Sequence, residues 1–168
     1  IDGISISLID VLAPTIEFTD PENGATDIAT VSNITVQFTE EIMNSVDGAN
    51  ITNANATDCF LLAEAVSGDD LTFSITSSDQ IEFVINPDGQ LPEYTAIKLS
   101  ILATIEDQNG NGFAFDTLRF LTADESPPQI QSSSISSINE YVILTFNEGV
   151  YSTNNGSGGL DATDLTYT

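Results

Sequence analysis

The sequence predicts an all-β chain, an antiparallel β-sandwich followed by the first half of a second, similar module. Three observations predict it. Apolar residues recur at every second position in run after run, the spacing of half-buried strands, with no evident helical period. Clusters of Pro, Asn, Asp and Gly separate the runs, as short strands joined by tight turns require. Finally, Pro14-Thr15-Ile16 and the later Val36-Gln37-Phe38-Thr39-Glu40-Glu41-Ile42 are echoed by Pro128-Gln129-Ile130 and Leu144-Thr145-Phe146-Asn147-Glu148-Gly149-Val150, which implies two copies of one module.

The elements follow in chain order. Ile4, Ile6 and Leu8 alternate with Ser5 and Ser7 and predict a strand within residues 1–12, belonging to a preceding module or donated to a neighbour. The first module spans 13–123. After the Pro21-Glu22-Asn23-Gly24 turn, Ile34, Val36 and Phe38 share the inner face of a strand. Thr39 to Asp58 is irregular, with one helical turn expected around Glu40 to Ser45. Leu71, Phe73 and Ile75 form the next inward row, and Ile81, Phe83 and Ile85 another. The longest run, from Ile97 through Leu99, Ile101 and Ala103 to Ile105, predicts the central strand, with Lys98, Ser100 and Thr104 on its other face. Leu118 and Phe120 point inward and Arg119 outward. Lys98 and Arg119 lie at similar distances from the turn near Asn109 and Gly110, so they are expected together on one outer face, with acids around them. Residues 124–128 read as a linker stiffened by two prolines. Residues 129–168 read as an incomplete second module, with too few strands to cover its own apolar face.

Composition removes whole classes of function. Against 26 Asp plus Glu there are 2 Lys plus Arg, no His and 1 Cys, for a net charge of −24. Lys98 and Arg119 cannot neutralise a nucleic-acid backbone or engage an anionic membrane surface. Without His there is no triad base and no usual zinc set, which leaves carboxylate chemistry: hard cations or acid–base work by Asp and Glu. No apolar run reaches the roughly 18 residues of a membrane helix, and the N-terminus lacks the basic start of a signal peptide. The chain therefore reads as a segment of something longer. Its charge suits high ionic strength or bound divalent cations, and so an extracellular location.

The order of several motifs is more specific than any one of them. Ala13-Pro14, the turn from Asp20-Pro21 to Asp27-Ile28, the Ile34-to-Glu41 strand with its acidic end, Asn86-Pro87 before Leu91, Tyr94-Thr95, Glu106-Asp107-Gln108-Asn109-Gly110-Asn111 and the closing Phe120-Leu121-Thr122 together resemble the bacterial Ig-like domains of surface-layer proteins and large secreted adhesins. The resemblance covers residues 13–123, and Asp124 to Pro128 is similar to the linker between such modules in tandem. Phe146 to Tyr151, with Gly158-Gly159-Leu160 and Asp164, resembles the start of a related repeat. What this implies is an Ig-like sandwich used as a building or adhesive module, without catalysis.

Several residues are candidate ligands for Ca²⁺. Asp107, Asn109 and Asn111 alternate like the first positions of a calcium loop, but Leu118 stands where the bidentate Glu belongs, and a hairpin turn, which explains the Asn and Gly content without any metal, is the preferred reading. The resemblance makes Asp124 and Glu125 candidates for a cation between domains; solvated linker acids are the plainer account. Glu148, Asp161 and Asp164 flank a loop with Asn154, Asn155, Gly156, Gly158 and Gly159 that can wrap a cation or simply turn. Glu40 and Glu41 form the matching acidic strand end of the first module, where paired carboxylates invite a glycosidase reading that the absence of Trp argues against. Asn33, Asn50, Asn55 and Asn155 each open an Asn-X-Ser/Thr glycan acceptor. Cys59, without a partner, reads as a buried apolar thiol. An isopeptide through Lys98 is discounted because the alternation points that side chain out of the core.

The leading functional expectation is a structural or adhesive module of an extracellular surface protein or filament, contacting neighbouring repeats or identical subunits. The alternative is a calcium-dependent module that binds a cell-surface glycan or a protein. A carboxylate hydrolase is the third class.

Overall fold

The computed structural model describes residues 9–138, 140–153, 157–161 and 163–164. The strand expected in residues 1–12 falls mainly outside them, and residues 9–13 contain no strand. Two compact units divide at Glu125–Ser126, inside the expected linker. No helix among the described residues is long and apolar enough to cross a membrane.

The first unit is a sandwich. One layer contains β1 (Ile16–Asp20), β2 (Ile34–Phe38), β5 (Phe73–Thr76) and β6 (Glu82–Pro87), in the order β1-β2-β6-β5. The other contains β4 (Phe60–Glu64), β7 (Ala96–Ile101) and β9 (Asp116–Leu121), in the order β4-β7-β9. A two-stranded ribbon of β3 (Ile42–Asn44) and β8 (Ile105–Asp107) completes the unit, and every pairing among these strands is antiparallel. Alternation places Ile34, Val36, Phe38, Phe83 and Ile85 of one layer against Phe60, Leu62, Ile97, Leu99 and Ile101 of the other, all buried in one core. Phe38 meets Phe83 and Phe113 edge-on, at ring-centroid distances of 6.0 and 5.5 Å.

Three expectations are corrected. The run from Ile97 to Ile105 is not one strand: β7 ends at Ile101, the chain turns through Leu102–Thr104, and β8 pairs with β3 instead. The turn is fixed by long-range bonds, Leu102 N–H donating to Cys59 O at 2.8 Å and Ser45 N–H to Thr104 O at 2.8 Å. The apolar period cannot show this break, because Ile101 before it and Ile105 after it are both buried, while Ala103 between them is exposed. The helical turn around Glu40 to Ser45 is replaced by β3, and the short 3-10 helix lies later, at Ala56–Asp58. Leu71 is not in β5; its N–H donates to Leu62 O at 2.9 Å beside the Ala63–Asp70 bridge, so the chain crosses between layers before Phe73.

The expected meeting of Lys98 and Arg119 is found, since the two are direct cross-strand partners on β7 and β9. Ala63 follows on the other side of Lys98 and Asp70 follows Ala63, so that cross-strand row reads acid, Ala, Lys, Arg. Cys59 is fully buried, and burial pushes its thiol up to about 11, outweighing its contact with Thr104 O; it remains protonated and unreactive at neutral pH.

The second unit contains β10 (Ile130–Ile135) and β11 (Val142–Phe146), one antiparallel hairpin whose residues are almost all exposed.

Candidate cation site

Among the described residues, one group of acids converges: Asp10, Glu40 and Asp107 each bring a carboxylate oxygen within 4.8 Å of the others. Three separate elements position it. Asp107 ends β8, Glu40 lies in the turn between β2 and β3, and Asp10 is on the segment that enters the sandwich. Leu12, Ala13, Thr15 and Thr39 line an open depression with Asp10 and Glu40.

Asp107 is the fixed member. It is buried, and its Oδ1 accepts the N–H groups of Asn109 and Asn111, both at 2.8 Å, while Oδ2 accepts Asn111 Nδ2 at 2.8 Å. Asn111 Nδ2 also donates to Asp10 O at 3.2 Å, tying the entering segment to the loop. Burial works to raise the pKa of Asp107, but the donors from Asn111, Asn109 and Gly110 outweigh it and hold the carboxyl below its ordinary value. Glu40 shifts the other way, raised first by burial and then by the charges of Asp107 and Asp10. Its neighbour Glu41 accepts a hydrogen bond from Gln108 Nε2 on the same loop.

The two shifts have opposite consequences for stability. Glu40, raised in the folded state, contributes stability that is fully present below its unfolded pKa and is lost as pH rises through the folded one. Asp107, depressed, contributes above its unfolded pKa and loses that contribution as pH falls through the folded one. Acidification from neutrality is therefore expected to relieve Glu40 first and to cost Asp107 only below its ordinary 3.8. Glu40→Gln should flatten the upper limb of a melting-temperature profile and leave the lower limb unchanged; an unaltered upper limb would contradict the Glu40 assignment.

The remaining candidates lie elsewhere. Asn109 and Asn111 shape a turn around Asp107 and present donors to it, as in an Asx turn. Glu125 is engaged within the first unit: Thr30 N–H donates to Oε1 at 3.2 Å and Thr30 Oγ1 to Oε2 at 2.6 Å. Asp124 is exposed beside it. In the second unit, Asp161 Oδ1 accepts the N–H and the hydroxyl of Thr163 at 2.7 and 2.6 Å, and Asp164 Oδ2 accepts Asp161 N–H at 2.9 Å. These bonds build a turn, and those from Thr163 hold Asp161 below the ordinary carboxylate range. Glu148 is half-buried, and the described residues do not group it with those two acids. Asn154, Asn155 and Gly156 of the flanking loop lie outside the described residues. Of the glycan acceptors, Asn33 and Asn50 are exposed, whereas Asn55 is half-buried and its amide donates to Asn50 O at 3.2 Å.

Sequence reading missed the grouping of Asp10 and Glu40 with Asp107. No local pattern links three residues brought together only by the sandwich, and the one available signal was the acidic end of the Ile34-to-Glu41 strand. The described residues contain no nucleophile–base pair of the usual kind, because the sequence lacks His and its one thiol is buried.

The S-layer protein SbsC, solved over its residues 31–844, is similar at 15% identity and a TM-score of 0.46, covering 80% of this chain and 18% of that one. CopC from Methylosinus trichosporium OB3b is similar at 8% identity and a TM-score of 0.48, covering 68% of this chain and 97% of that one. L,D-transpeptidase 3 from Mycobacterium tuberculosis is similar at 14% identity and a TM-score of 0.40, covering 78% and 45%. No curated protein matches the sequence. The bacterial Ig-like domain model matches residues 10–122, the span that forms the sandwich, and the chain belongs to that family.

Proposed function

We propose that this chain is a non-catalytic building module of an extracellular surface protein, carried in series with like modules. The observation that carries this reading is the recurrence, in the second unit, of the hairpin that opens the first, down to the position of its β-bulge. A series of modules transmits geometry rather than performing chemistry, which agrees with the residue types present. A net charge of −24 with two basic residues suits a salt-rich or cation-rich exterior. The test is a thermal-shift screen of the whole chain against glycans and peptides. A building module is stabilised by none of them, whereas a lectin-like module gains stability from a sugar by mass action.

The convergence of Asp10, Glu40 and Asp107 favours a second reading, in which a divalent cation stiffens the entry to the sandwich. Ca²⁺ takes six to eight oxygens, so three carboxylates leave the rest to water or backbone. Bound cation would relieve the repulsion on Glu40. Melting temperature is expected to rise in calcium over chelator at fixed ionic strength, and Glu40→Gln is expected to remove most of the difference. Identical melting in calcium and chelator would sink this reading and leave the structural one intact.

A further inference from the structure

The two hairpins correspond in their irregularities as well as in their strands. In the first unit Ile16 pairs with Phe38, Glu17 is skipped, and Phe18 pairs with Gln37; in the second Ile130 pairs with Phe146, Gln131 is skipped, and Ser132 pairs with Thr145. The bonds that close the bulged end repeat too. Thr39 N–H donates to Thr15 O at 2.9 Å and Asn147 N–H to Gln129 O at 3.0 Å. Thr15 N–H donates to Thr39 Oγ1 at 3.1 Å and Gln129 N–H to Asn147 Oδ1 at 2.6 Å. Because a bulge fixes the face of every residue after it, β11 corresponds to β2 position by position: Val142 to Ile34, Leu144 to Val36, Phe146 to Phe38.

Their surroundings differ. Ile34, Val36 and Phe38 are all 0% exposed, with β6 bonded along the far edge of β2, whereas Val142 is 61% and Leu144 36% exposed in a sheet that has two strands among the described residues. Neither β10 nor β11 carries a charged residue, whereas the edge strand β1 of the first unit carries Glu17 and Asp20. An edge without charges lacks the usual protection against strand pairing.

We propose that the free edge of β11 is a strand-acceptor site, and that its occupant is an extended strand of the β6 kind running antiparallel to it. Bulky apolar side chains of that strand fall opposite Val142 and Leu144, in the register that Ile85 and Phe83 take on Ile34 and Val36. Main-chain bonds give the affinity, and alternate apolar residues select the register. This deepens the reading of the chain as a module in series, and the two fail separately: a glycan-binding result would remove the functional reading without touching the edge.

The test adds a synthetic peptide of residues 80–88 to the whole chain and follows amide hydrogen exchange. With peptide at ten times its Kd, the Val142–Phe146 amides are expected to slow by about tenfold. The amides of Ile34–Phe38, whose two edges are already paired, are expected not to change. A peptide carrying Phe83→Ser and Ile85→Ser should have no effect. Equal slowing by that variant, or no slowing with the native peptide at millimolar concentration, overturns the proposal. Slowing that grows with protein concentration in the absence of peptide means that two copies pair through β11, and overturns it as well.

Discussion

Phe38→Ala is expected to destabilise the sandwich by about 3–5 kcal/mol, the range for truncating a fully buried aromatic. Phe38 is 0% exposed and closes β2. Its ring packs edge-on against Phe83 of β6 and against Phe113, which follows the Asp107–Asn111 turn. Three parts of the fold therefore share the cavity that truncation leaves, and none of them can collapse into it without breaking a strand pairing or the turn. A domain of this size has about 5–15 kcal/mol of stability in all, so the loss is a large part of it. Urea melts check the value. Phe18→Ala, on a ring 48% exposed, is the control and should cost about 1 kcal/mol or less. Comparable losses from the two would mean that Phe38 is not in the core.

Glu125→Ala is expected to cost about 1–3 kcal/mol, although Glu125 lies on the surface at the edge of the linker. Its two carboxylate oxygens accept the N–H and the hydroxyl of Thr30, which is 2% exposed, so truncation strands buried donors. A double-mutant cycle with Thr30→Val isolates the hydroxyl's share and should give a coupling of about 0.5 kcal/mol or more. No coupling would return Glu125 to the solvated linker acid it resembles in the sequence. The same contact ties Glu125, in the expected linker, back to the sandwich.

What was legible in the sequence is what period two encodes. The inner faces of β2, β6, β7 and β9 and the cross-strand meeting of Lys98 with Arg119 follow from alternation and turn position alone. The repeat of Pro14-Thr15-Ile16 in Pro128-Gln129-Ile130 anticipated the paired hairpins. What was not legible depends on contacts between distant segments. The break after Ile101 is set by Cys59 and Ser45, the role of Glu125 by Thr30, and the acidic group by the entry of Asp10 beside the β8 turn. Spacing counts residues along one strand and is silent about which strand a loop returns to.

A complete sandwich is followed by a hairpin that repeats its opening one, and among the described residues the outer edge of that second hairpin is unpaired. Amide hydrogen exchange of the whole chain, monomeric at high dilution and without added peptide, tests it most directly. The Ile34–Phe38 amides are expected to exchange only through global unfolding of the first unit, and the Val142–Phe146 amides orders of magnitude faster. Protection in Val142–Phe146 equal to that in Ile34–Phe38 would contradict the account, because the hairpin would then be stable without a further strand.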